Sequence, residues 1–175
     1  RGFADGSFSA TIDEANQRTI NLHYGNANKG FKRSLLNVNT DCQLERKSLS
    51  CSKNVNLSDY NGQSIQYWFE VIDIASKQAL SKKIVLSVDT QDPLINFIQT
   101  TISGKSATLR INVMEPNLES IEYSDNGRRP KLLCNKLISN VCEKKIVFST
   151  GSHTVFIQVT DKAGNAVGQS VSFVI

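Results

Sequence analysis

Histidine is almost missing from this chain. His23 and His153 are the only two, and they fall in opposite halves. Neither half can therefore build a catalytic or zinc centre from paired imidazoles. No serine stands in a Gly-x-Ser-x-Gly nucleophile elbow. No apolar run approaches the ~20 residues that a membrane-spanning helix needs. Helical periodicity is absent throughout. Charge of one sign is also scarce. The formal net charge is +4, with 11 basic and 9 acidic residues in 1–90, and 9 and 7 in 91–175. Neither half has the concentrated positive charge that nucleic-acid phosphates call for. Arg128, Arg129 and Lys131 form the densest basic cluster, which reads as a solvated hairpin tip. With no signal peptide and no initiator Met, Arg1 is expected to mark a processed chain or an excised segment.

What the chain does contain is one pattern written twice. Tyr67-Trp68-Phe69-Glu70-Val71-Ile72-Asp73 is answered 88 residues later by Val155-Phe156-Ile157-Gln158-Val159-Thr160-Asp161. Positions 67, 69, 71 and 155, 157, 159 are apolar, the period of a half-buried strand. Each copy breaks at an Asp with Ala two residues on: Asp73-Ile74-Ala75 and Asp161-Lys162-Ala163. Around this strand, other features echo at offsets of 87 to 92. Ile20, Leu22 and Tyr24 match Leu109, Ile111 and Val113. Gly62 matches Gly151, and the closing run Ile84, Leu86, Val88 matches Val171, Phe173, Ile175. A repeat of this size predicts two modules, 1–90 (with a lead-in at 1–6) and 91–175, each with its own core. Ile175 aligns with Val88, so the chain is expected to stop where a module stops.

The four cysteines follow the repeat. Cys42 and Cys51 are matched by Cys134 and Cys142, at offsets of 92 and 91. An even count with one pair per repeat points to two disulfides and an oxidising compartment. Zinc is the competing reading, disfavoured because no Cys-x-x-Cys occurs. Free buried thiols are the other alternative.

Short alternating runs punctuated by turn residues fill the rest. Phe8, Ala10 and Ile12 read as a first strand. Leu35 to Val38 opens a strand ending at Cys42, and Glu45-Arg46-Lys47-Ser48 turns the chain back to Cys51. Asn61-Gly62 and Asn126-Gly127 make tight turns, since both residue types tolerate positive φ. Asp89-Thr90-Gln91-Asp92-Pro93 reads as a short, stiff linker. Many short strands spaced this way predict an all-β chain of two tandem antiparallel sandwiches.

The run Gly151-x-His153-Thr154-Val155-x-Ile157-x-Val159-x-Asp161-Lys162-Ala163-Gly164-Asn165 resembles the closing half of prokaryotic immunoglobulin-like repeats. The joint Val88-Asp89-Thr90-x-Asp92-Pro93 is similar to those between such repeats in bacterial and archaeal surface proteins. One bridge per repeat resembles archaeal members more than bacterial ones. Module one departs from the pattern, with Ser76-Lys77 where Gly164-Asn165 stands. The resemblance implies an immunoglobulin-like fold and a place at the cell surface.

A non-catalytic role is expected. The acidic pairs Glu115/Glu119 and Asp13/Glu14 read as solvated edge charge rather than a glycosidase pair. Asp89, Asp92, Asp73 and Asp161 are the candidate calcium ligands, but they are too few for a dense oxygen cage. The expectation is no metal and no cofactor, with each Asp bonding amides of its own turn. Trp68 alternates away from Tyr67, Phe69 and Val71, so it is the candidate contact for a sugar or protein partner. Asn56-Leu57-Ser58 is a glycosylation acceptor pattern. The expected partners are a protein or glycan at the cell surface, or neighbouring modules of the same protein. No nucleic acid or membrane span is expected. The chain then serves as a stalk, ectodomain segment or adhesion module. One alternative is a subunit of a pilus, thread or surface layer that exchanges strands. That alternative requires one module to be a strand short, and the full closing strand in both modules argues against it. The other alternative is an accessory pair of a larger surface enzyme or membrane-fusion protein.

Overall fold

The computed structural model describes residues 2–175, without the side chain of Phe3, so the expectation for Arg1 falls outside the described residues. The chain divides into two compact units, Arg1–Thr90 and Gln91–Ile175. Each is an immunoglobulin-like β-sandwich of largely antiparallel strands, and each holds one disulfide.

In the first unit the order is β1 (Gly2–Ala4), β2 (Ser7–Ile12), β3 (Gln17–Asn26), β4 (Gly30–Leu35), a one-turn helix α1 (Val38–Asp41), β5 (Cys42–Glu45) and β6 (Ser48–Asn54). A single 3₁₀ turn (Ser58–Tyr60) leads to β7 (Ser64–Asp73), β8 (Gln78–Leu80) and β9 (Ile84–Val88). One sheet runs β1-β9-β7-β3-β4, with β8 also on β7; the other runs β2-β6-β5. The repeated strand β7 sits centrally because its alternate residues can be buried: Ile65 and Phe69 are inside, with Tyr67 and Val71 packed beside them. Phe8, Ile12, Ile20, Leu22, Leu57 and Tyr60 are among the other buried residues of this core.

In the second unit come β10 (Leu94–Ser103), β11 (Ser106–Met114), β12 (Leu118–Asp125), β13 (Lys131–Cys134), β14 (Val141–Val147), β15 (Ser152–Asp161) and β16 (Ala166–Val174). The sheets are β10-β11-β14 and β13-β12-β15-β16. Val155, Ile157 and Val159 of β15 are fully buried against Leu109, Ile111, Val113 and Ile121. Asn126 and Gly127 both adopt positive φ, 48° and 73°, and Arg128 N–H closes the turn on Asp125 O at 3.0 Å. That is the primed turn that matches strand twist.

Several expectations change. The lead-in at 1–6 contains a strand, β1, paired in parallel with β9 from Gly2↔Leu86 to Ala4↔Val88. The strand expected from Leu35 to Cys42 is interrupted by α1. Asn37 Oδ1 accepts the Asn39 N–H at 3.0 Å and Asp41 Oδ2 accepts the Asn37 N–H at 2.8 Å, so local side chains close a helical turn there. At Asn61-Gly62 only the glycine has positive φ, 72°. Asn61 sits at −51°, 134°, which with the Gln63 N–H to Tyr60 O bond at 2.9 Å makes a type II turn.

The echo between Ile20-Leu22-Tyr24 and Leu109-Ile111-Val113 equates strands of different sheets. β3 pairs with β7 and β12 pairs with β15, whereas β11 belongs to the opposite sheet. Leu22 lies opposite Phe69 and Tyr123 opposite Ile157, an offset of 101 between Leu22 and Tyr123. Ala10 lies opposite Cys51 and Ile111 opposite Cys142, again an offset of 101. Every half-buried strand alternates with period two, so alternation cannot tell one sheet from the other.

The bridges also differ. Cys42 on β5 lies directly opposite Cys51 on β6, within one sheet. Cys134 on β13 and Cys142 on β14 belong to different sheets, so this bridge ties the two sheets together at their edge. Both close loops of similar length, and the chain-entropy model gives each about 2–3 kcal/mol.

Candidate functional site

Strand alternation sends Trp68, Glu70 and Ile72 to the face of β7 opposite the core. Pairing sets His23 of β3 across from Trp68, Asn21 across from Glu70, and Arg33 of β4 across from His23. The His23 and Trp68 rings stack at 5.0 Å, 1° from parallel. Phe31 tilts against Trp68 at 5.3 Å, and Lys83 Nζ stands 4.6 Å from the indole ring centroid. Trp68 is thus half-buried, its surface shared with an imidazole and an ammonium. The sequence offered Trp68 as a contact for a sugar or protein partner but gave no sign of these three neighbours.

Beside this aromatic group, two residues along the same face of β7, lies a carboxylate. Glu70 is only 8 % exposed. Its Oε2 accepts from Asn21 Nδ2 at 2.9 Å and meets His23 Nε2 at 3.0 Å, while Oε1 accepts a short bond from Gln78 Nε2. The His23 bond, helped by Gln78 and Asn21, holds the Glu70 carboxyl below its usual range despite burial. A buried charge so satisfied orients the residues above it. The cue available in the sequence was polar Asn21 and His23 alternating with apolar Ile20, Leu22 and Tyr24.

A second polar cluster lies in the other unit. His153 is 3 % exposed, between Phe148 at 4.9 Å and Phe173 at 5.6 Å. Its Nδ1 lies 2.8 Å from Asp125 Oδ1 and its Nε2 lies 2.9 Å from Ser149 O. Both neighbours are acceptors, so only the doubly protonated imidazolium satisfies both contacts. The Asp125 bond raises the His153 pKa accordingly. Nothing in residue spacing pointed to Asp125 as its partner.

Asp73 Oδ1 accepts the Lys77 N–H at 2.8 Å in its own turn. Asp161 is buried and accepts from Ala163 N at 2.8 Å, Asn165 N at 2.9 Å and Asn165 Nδ2 at 2.8 Å. Both are therefore turn caps. Asp89 is half-buried in the first unit and Asp92 is exposed in the second. Asn56 is exposed, its Oδ1 accepting the Ser58 N–H at 2.8 Å. All four cysteines are consumed by the two bridges.

The sequence matches no protein-family model and no curated protein. Among solved structures, the chicken CNTN1 FN1-FN3 domains are similar over 99% of this chain, with a TM-score of 0.62 and 11% identity. This chain spans 64% of that one. The fibronectin(III)-like modules of Clostridium thermocellum CbhA align with 100% of this chain and 88% of theirs, with a TM-score of 0.49 and 8% identity. The first likeness shows the fold. No helix among the described residues is long and apolar enough to cross a membrane.

Proposed function

We propose that this chain is a non-catalytic, extracellular pair of immunoglobulin-like modules in a prokaryotic surface protein, of archaeal type, acting as a stalk, ectodomain segment or adhesion module. The observation that carries the reading is the closure of all four cysteines into two short bridges, one in each unit. Such bridges form and persist in oxidising compartments. The Asp161-Lys162-Ala163-Gly164-Asn165 turn supports the prokaryotic part of the reading. Its physical logic is plain: Asp161 accepts three hydrogen bonds inside the turn, and Gly164 takes φ 94°. The face around Trp68 is the contact offered to a surface protein or glycan, since a ring flanked by Lys83 and His23 combines apolar area with hydrogen-bond donors. Neither metal nor cofactor enters this reading, and Asn56 is the position for an attached glycan. The test is antibody labelling of intact source cells. Surface signal without permeabilisation is expected; signal only after permeabilisation overturns the proposal.

A further inference from the structure

The two units treat their first sandwich edge differently. In the second unit the ten-residue β10 pairs along β11 from Leu94↔Met114 to Ser103↔Ser106. The counterpart of β11 in the first unit is β2, by the pairing of Ala10 with Cys51 and Ile111 with Cys142. β2 pairs with β6 on one side only, and among the described residues no strand lies on its other edge. β1, which precedes it, is three residues long and pairs with β9 instead.

That free edge carries unused backbone chemistry. The Cys42 and Cys51 Cα atoms are 4.0 Å apart, the spacing of a non-hydrogen-bonded antiparallel pair. The Cys51 N–H and C=O therefore turn toward β2, where they meet Ala10. By alternation, Phe8, Ala10 and Ile12 bond β6, while Ser9 and Thr11 direct N–H and C=O to the open side. Sheets normally guard such edges with charge or proline. The β2 sequence Ser-Phe-Ser-Ala-Thr-Ile has neither. The edge strand β4 of the other sheet, in contrast, carries Lys32 and Arg33.

Beside this edge the sandwich opens into a cavity of ≈ 420 Å³ that reaches β8, also an edge. Its walls include Ala10, Ile12, Phe69 and Val71 from the core, with exposed Ala79 and Leu80 at the rim. A slot with an apolar floor and a free ladder on its side fits extended peptide: main-chain bonds along the edge, alternate side chains inward. The second unit shows which side chains suit the position, for Ile95 and Ile98 of β10 pack against its core there. Asp13, Glu14 and Asp73 outnumber Lys77 at one mouth, favouring a basic residue at that end.

We propose that the slot between β2 and β8 receives an extended strand of a partner polypeptide, with aliphatic side chains at alternate inward positions. This proposal does not rest on the extracellular reading, whose own test is cell labelling. The probe is a synthetic peptide with the sequence of residues 94–103, titrated into the full chain while amide spectra are recorded. The expected result is saturable shifts at Ser7–Ile12 and Gln78–Leu80. Thr11→Pro should weaken binding at least tenfold, because it deletes an outward N–H that β6 does not use; Ser9→Pro serves if that variant fails to fold. Shifts confined to β11, or no saturable shift at millimolar peptide, overturn the proposal. A concentration-dependent dimer with β2 amides protected before peptide is added overturns it too, since the occupant is then a second copy.

Discussion

The two units share a central strand and differ at their edges. β7 and β15 turn the same alternate positions toward the core, fully buried at Val155, Ile157 and Val159 but only partly at Tyr67 and Val71, and the turns after them close alike. Asp73 N–H bonds Lys77 O at 3.0 Å, as Asp161 N–H bonds Asn165 O at 3.0 Å. Ser76 even takes the left-handed conformation of Gly164, with φ 63° against 94°. Ahead of the cysteines the units part. The offset falls from 101 at Leu22 and Tyr123 to 92 at Cys42 and Cys134, so the first unit has nine more residues there. Those residues allow both β4, on one sheet, and β5, on the other. The second unit has β13 alone and stretches its disulfide between sheets. Central strands are fixed by burial on the core side, whereas edge strands are free to change sheet or length.

The largest effect should come from a charge in one core. Val159→Asp puts an unpaired carboxylate at a fully buried position, a cost of several kcal/mol against the whole stability of a domain. Amide spectra should show the second unit unfolded and the first unchanged; loss of both would erase the distinction between their cores. Next in size are the turn caps. Asp161→Ala removes the acceptor of three hydrogen bonds and should cost about 1–3 kcal/mol, while Asp73→Ala, which removes the acceptor of the Lys77 N–H, should cost about 1 kcal/mol or less. Denaturant midpoints for the two units would reveal equal losses if this asymmetry were wrong.

Titration should separate the units from opposite directions. His153 is held protonated by Asp125, so its contribution is full below the ordinary value of about 6.5 and is lost as pH rises through the raised value. Glu70, Asp41 and Asp59 are held below the usual carboxylate range by His23, Lys53 and Lys32 respectively. Their contribution is full above about pH 4.5 and is lost as pH falls through the lowered values. A rise in pH through the His153 value should therefore weaken the second unit selectively, before Lys32 of the first unit, whose pKa the Asp59 bond raises, gives up its proton; acid should weaken the first, followed by histidine and amide resonances. Reversal of that order would contradict the assignment. The smallest effect expected is Ser76→Gly, a gain of about 0.5–1 kcal/mol for the first unit as left-handed strain is relieved. A melting point unchanged or lowered would mean that Ser76 is not strained.

The sequence was most legible where burial repeats. Alternation at 67, 69, 71 and at 155, 157, 159 located the central strands, and paired cysteines located the staples. It misled where one period serves many strands, as in the echo between β3 and β11. It was silent where the cause is a local side-chain bond, as at Asn37 and Asp41 in α1. The polar cluster beside Trp68 forms only after β3, β7 and β8 are in register: the pair Asn21 and His23 was visible, but Glu70 lies 49 and 47 residues from them, too far in sequence to suggest itself as their partner.

The central claim is that each unit folds around its own core. Amide spectra of residues 1–90 alone test it most directly. The account predicts a dispersed, native-like spectrum matching the first unit of the full chain, with Cys42 and Cys51 oxidised. A collapsed, poorly dispersed spectrum would contradict it and mean that the halves depend on one shared core.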